Sequence, residues 1–100
     1  MIQRESRLTE EIAEDLALKG LQYIAGDVEL LQKFIAVTGV SPKDLRKVAD
    51  RRDFKVGLLE FFASDEPTLL AFAASIGENP QLISDARILL SDYPPKVQEF

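Results

Sequence analysis

The stretch LQYIAGDVELLQKFIAVTGVSPKDLRKV, residues 21–48, is met again 38 positions later as LEFFASDEPTLLAFAASIGENPQLISDA, residues 59–86. Eight of the 28 aligned pairs are identical: Leu21/Leu59, Ala25/Ala63, Asp27/Asp65, Leu31/Leu69, Phe34/Phe72, Ala36/Ala74, Gly39/Gly77 and Pro42/Pro80. Chance alone supplies about two, because even common residue types each make up less than a tenth of an average chain. Tyr23/Phe61, Ser41/Asn79, Leu45/Ile83 and Val48/Ala86 keep their chemistry without identity. A fixed-period repeat dictates architecture before any site is sought. The shared residues are helix caps, helix stops and apolar positions. They specify a scaffold and name no activity.

The punctuation divides each copy into three helices. A first helix is expected over 6–25, with Leu8, Ile12, Leu16, Leu21, Ile24 and Ala25 at helical spacing. Gly26 is expected to end it in the left-handed conformation, and Asp27 to cap the next helix. That second helix turns Leu30, Leu31, Phe34, Ile35 and Thr38 inward and stops at Gly39. Ser41-Pro42 restarts the chain with a cap followed by a proline at the first helical position. Leu45, Val48 and Ala49 are the inner residues of this third helix. Asp53 is placed to cap a fourth over 54–63. Ser64 or Asp65 caps a fifth that ends at Gly77, and Asn79-Pro80 opens a sixth. Pro94-Pro95 prevents further helix, so 94–100 reads as a loose tail.

The fourth helix, with Phe54, Val56, Leu58, Leu59, Phe61 and Phe62, is apolar on nearly every side, the pattern of a central helix. Two copies are too few for an open solenoid. The expected fold is all-α: a single domain, 1–100, folded as a compact six-helix globule made of two tandem three-helix repeats, about 16–53 and 54–91. One hundred residues suffice for such a core without a metal or disulfide staple.

Composition narrows the chemistry. The chain has no Cys, no His and no Trp. Thiol nucleophiles, thiolate metal sites, the commonest general acid/base and the commonest transition-metal ligand are all missing. No catalytic, cofactor-binding or metal site is legible, and no small-molecule ligand can be identified. A net charge of −5 argues against broad binding to nucleic acid or anionic membranes. No apolar run is long enough to span a bilayer. The opening residues, Met-Ile-Gln-Arg-Glu-Ser-Arg, carry no apolar core after their charges, so the expectation is a cytoplasmic bacterial protein.

Charge is segregated along the chain. Glu10, Glu11, Glu14 and Asp15 cluster without a base; residues 43–55 hold six bases against three acids; residues 57–86 hold five acids and no base. The acidic cluster reads as side chains favourable near a helix N-terminus rather than as a site. The unit from Leu30 to Arg52 has the outline of a DNA-binding helix-turn-helix, with a base-rich second helix. Ile35, where such a motif wants a small residue, counts against it. So does the recurrence of the same turn at Gly77-Glu78-Asn79-Pro80, where no basic helix follows.

The copies differ where Gln32, Lys33, Asp44, Arg51 and Arg52 become Leu70, Ala71, Leu82, Leu89 and Leu90. Suspicion of function therefore falls on the basic residues Lys43, Arg46, Lys47, Arg51 and Arg52, read as one face of the third helix. It also falls on the apolar residues Leu70, Leu89 and Leu90. The last three are either covered within the chain or offered to a partner.

The pattern Asp27-x-x-x-Leu31-x-x-Phe34-x-x-x-Thr38-Gly39-x-x-Pro42-x-x-Leu45-Arg46, followed by Phe54, Leu58-Leu59, Asp65-Glu66, Leu69-Leu70-x-Phe72-Ala73 and Gly77-x-x-Pro80, resembles a family of small alphaproteobacterial all-helical proteins, a domain of unknown function numbered 3572. The resemblance runs from about Ala13 to Leu90. It implies a bacterial cytosolic protein and carries over no activity, substrate or site residue. Pro67 departs from the pattern and is expected to shift the start of the fifth helix. The reading that emerges is a non-catalytic helical module for protein–protein interaction. Its partner is another protein or a second copy, the acidic first helix of which would suit the basic face. A nucleic-acid-binding adaptor is the alternative, and an enzyme the third reading.

Overall fold

The computed structural model describes residues 8–91. Six α-helices follow one another: α1 Glu10–Ala25, α2 Val28–Thr38, α3 Leu45–Val48, α4 Arg52–Ala63, α5 Glu66–Ile76 and α6 Pro80–Ser91. A 3-10 turn, Pro42–Asp44, leads into α3. No strand occurs among the described residues, so the described fold is all-α. The expected tail at 94–100 lies outside them.

Local chemistry sets most helix ends. The Thr9 side chain accepts the Ile12 N–H at 3.1 Å, and Thr9 itself is extended at φ −122°. The helix therefore starts at Glu10, later than the expected Ser6. Asp27 accepts the Leu30 N–H at 3.1 Å, and Asp65 accepts the Thr68 N–H at 3.3 Å. Each satisfies a backbone donor that a helix start leaves unpaired. Asn79 Oδ1 does the same for the Gln81 N–H at 2.8 Å. Gly39 and Gly77 take φ of 77° and 69°, the left-handed region where a Cβ is costly.

Four further expectations need correcting. Gly26 sits at φ −86°, so α1 ends without a left-handed residue. Arg51 occupies the cap position of α4 with no side-chain cap bond, and Asp53 lies inside the first turn instead of before it. Pro67 moves nothing: α5 starts one residue after Asp65, as α2 starts one residue after Asp27. The third helix is a 3-10 turn plus a single α turn, and none of its residues is fully buried. A short helix is marginal unless a packed face holds it, and this one has only half-buried Leu45 and Val48 to offer.

The central position expected of α4 is observed: it packs against α1, α5 and α6. α1 also lies on α2 and α6. Leu58, Leu59 and Phe62 of α4 are fully buried with Ile24, Phe34, Phe72, Ile83 and Leu90. Aromatic rings form a connected chain through this core. Phe54 meets Phe34 edge-on at 5.9 Å, Phe34 meets Phe61 at 5.2 Å, and Phe61 meets Phe62 at 5.7 Å. Phe62 then stacks on Phe72 at 4.3 Å, and Tyr23 closes on Phe72 at 5.3 Å. Edge-to-face and offset pairs of this kind add to the burial of their area.

Candidate functional site

Arg51 and Arg52 do not belong to the basic third helix. They begin α4, and their side chains are committed elsewhere. Arg52 donates to Glu10 Oε2 on α1. One turn on, Lys55 Nζ lies 3.5 Å from Glu14 Oε1. The acidic stretch of α1 thus meets two bases of α4 inside one chain, and Asp15 pairs with Lys19 at 3.2 Å on α1 itself. Arg51 holds Asp53 through two hydrogen bonds of 3.1 Å. That bond pushes the Asp53 carboxyl below the ordinary aspartate range and raises the Arg51 guanidinium further.

Lys43, Arg46 and Lys47 remain. All three are exposed, and none forms an ion pair among the described residues. They stand on the segment that connects α2 to α4. The same segment walls a groove of about 250 Å³ lined by Phe34, Thr38, Val40, Val48, Phe54 and Gly57, with the Arg51–Asp53 pair also bordering it. Thr38 keeps its hydroxyl turned to its own backbone, donating to the Phe34 carbonyl at 2.8 Å and accepting the Val40 N–H at 3.3 Å. The groove is consequently apolar inside, and its two charged lining residues, Arg51 and Asp53, are paired with each other. Such a site can hold an apolar side chain. Its polar lining is Thr38 and the Arg51–Asp53 pair.

The apolar candidates separate. Leu90 is 0% exposed and belongs to the core, so it cannot meet a partner. Leu82 and Leu89 are half-buried against that core. Leu70, at 47% exposure, is the one of the three candidates that stays outside. Intramolecular cover therefore accounts for most of the polar-to-apolar changes in the second copy. The helix-turn-helix outline also fails geometrically: a recognition helix must reach along a major groove, and α3 is four residues long.

Among the described residues, no group of three or more Asp or Glu side chains is placed to hold a metal ion, and no helix is long and apolar enough to cross a membrane. A second groove, about 300 Å³, borders α1 on the other side, where Glu11, Glu14, Asp15 and Asp50 stand around Leu18 and Phe54. Sequence reasoning missed both grooves and missed Gly57. An isolated glycine inside a helical run was the available signal.

A model of the family described as protein of unknown function (DUF3572) matches residues 10–93. The chain belongs to that family. The match covers every helix from α1 to α6, so this DUF3572 protein carries the family's domain across all its described structure. No curated protein and no solved structure matches it.

Proposed function

We propose that this DUF3572 protein is a non-catalytic helical module that docks an acidic, partly apolar segment of a partner protein. One observation carries the reading: the segment between α2 and α4 carries three exposed bases that form no ion pair among the described residues, and Val40 and Val48 of the same segment line an apolar groove. Apolar anchoring supplies affinity, while the bases steer and orient the partner. The reading keeps the protein in the bacterial cytosol, the setting that its family resemblance implies.

The scaffold, in this proposal, is two tandem three-helix repeats, about 16–53 and 54–91. Support comes from matched chemistry at aligned positions: Asp27 and Asp65 cap, Gly39 and Gly77 turn left-handed, and Phe34 and Phe72 are fully buried. The first copy's third helix shrank to a turn. The second copy has the twelve-residue α6 at the equivalent place.

Selection of a displayed random-peptide library on the full chain tests the function. Recovered peptides should share an apolar anchor beside Asp or Glu. The K43E/R46E/K47E variant should bind them about tenfold or more weakly while retaining its helical circular dichroism. No enrichment, or equal binding to the triple variant, overturns the reading.

A further inference from the structure

Two helix-interior glycines pose a contrast. Gly20 of α1 is buried, and a Cβ there would stand 2.8 Å from the Phe62 ring, so close packing explains it. Gly57 of α4 has no such reason. Nothing lies within 4 Å of the place where its Cβ would be, and Gly57 lines the groove walled by Phe34, Val40, Val48 and Phe54. Glycine weakens a helix interior relative to alanine, and no contact among the described residues uses the space it leaves. A further groove, about 380 Å³, adjoins this one, lined by Arg52, Asp53, Val56, Leu90 and Ser91. Asp53 lines both grooves, and Val56 of the one precedes Gly57 of the other on α4.

The described chain ends at Ser91, on the rim of that further groove. Residues 92–100 continue it as Asp-Tyr-Pro-Pro-Lys-Val-Gln-Glu-Phe. Pro94-Pro95 stops the helix and favours polyproline II, which has three residues per turn and rises about 3.1 Å per residue. On that repeat Pro94, Val97 and Phe100 share one edge. From Ser91 to Val97 such a chain spans about 19 Å. Gly57 stands one helical turn past Asp53, about 6 Å further along α4. The segment is therefore long enough to cross from the first seat to the second. Its apolar edge suits a groove whose charged lining residues already pair with each other. Attachment at Ser91 also presents it at a roughly millimolar effective concentration, so modest contacts suffice. We infer that residues 92–100 of the same chain occupy both grooves, with Tyr93 against Val56 and Val97 over Gly57. Resting on the docking reading above, a partner must then displace this segment, which lowers the partner's apparent affinity.

Paramagnetic broadening on the full chain reads this directly. The chain has no Cys, so Gln98→Cys carries a single spin label beside Val97. The label should suppress the backbone amide signals of Thr38, Val40 and Gly57. Adding Y93S/V97S, two changes outside the helices, should restore all three signals while circular dichroism stays unchanged. Signals that are never suppressed, or that stay suppressed in Y93S/V97S, overturn the inference. Labelled chain without isotope, mixed with unlabelled nitrogen-15 chain, should leave the signals intact. Broadening in that mixture assigns the seat to a neighbouring copy's segment and overturns the contact within one chain. Y93S/V97S should also bind the peptides from the library selection about tenfold more tightly, the gain when a groove closed nine parts in ten is freed. Equal affinity overturns the competition with a partner. An empty peptide selection removes the docking reading alone, because the broadening is read without any partner.

Discussion

A methyl group added at Gly20 and one added at Gly57 act in opposite directions, although both residues lie in interiors of helices that pack on each other. At Gly20 the new carbon would sit 2.8 Å from Phe62, a fully buried ring that is itself stacked on Phe72. Overpacking of this kind costs about 1–3 kcal/mol. It outweighs the helix-propensity gain, which is at most about 1 kcal/mol. At Gly57 the methyl meets nothing and keeps that gain. Gly20→Ala should lower the urea midpoint and Gly57→Ala should raise it, the latter by about 0.5–1 kcal/mol of stability. A similar contrast holds at aligned positions 52 and 90. Arg52 is half-buried and paired with Glu10, while Leu90 is fully buried among apolar neighbours. Both positions turn inward, and side-chain chemistry alone decides whether an ion pair or hydrocarbon fills the place.

Each helix begins or fails according to what its first and last turns can satisfy. Asp27→Ala should cost about 1 kcal/mol, because α2 loses its cap. Asp65 does more: besides the backbone N–H it accepts the Thr68 hydroxyl, and Lys33 of α2 lies 4.0 Å away. The Thr68 hydrogen bond first, and the Lys33 charge second, hold its carboxyl below the ordinary aspartate range. A carboxyl depressed by folding stabilises above its unfolded pKa, and that contribution is lost as pH falls through the lower folded value. The stability difference between wild type and Asp65→Asn, measured by urea denaturation, should therefore be present at neutral pH. It should disappear below the ordinary aspartate range. α3 shows the limit of such local signals. Ser41-Pro42 has the composition of a helix start, yet Ser41 makes no cap bond. Helical order lasts to Val48 only, since no residue of the segment is fully buried. α6, opened by the same kind of signal, buries Ile83, Ala86 and Leu90 and runs twelve residues.

The molecule as a whole is held by one aromatic-rich core rather than by its ion pairs. The α1–α4 pairs, Glu10–Arg52 and Glu14–Lys55, are partly solvated, and pairs of that kind contribute about 0–1 kcal/mol each. Phe62 touches the ring chain from both sides and also fills the notch at Gly20. Phe62→Ala should cost about 3–5 kcal/mol, a large share of the roughly 5–15 kcal/mol available to a domain of this size. Circular dichroism and Tyr fluorescence should lose their signals together at the lowered midpoint, as expected of a single cooperative unit.

Several helix ends and inward-facing residues were legible in the chain itself, because a cap acts over three residues and an apolar face repeats every three or four. Asp27, Asp65, Gly39, Gly77, Phe34 and Phe72 could be placed on those grounds alone. Other features depend on residues that only packing brings together. Glu10 finds Arg52 across 42 positions, Gly20 exists for Phe62, and Gly57 opens a groove bounded by residues from α2, α4 and the segment between them. The length of α3 belongs to this second class, since burial decides it and propensity does not. Sequence alone therefore determined the caps at Asp27 and Asp65, the left-handed stops at Gly39 and Gly77, and the buried places of Phe34 and Phe72. Tertiary structure decided which charges are consumed within the chain, and it leaves Lys43, Arg46 and Lys47 exposed on the segment between α2 and α4. The physical reason is range: backbone capping and helical periodicity are short-range, while burial and ion pairing are settled by whichever distant residues the fold brings together.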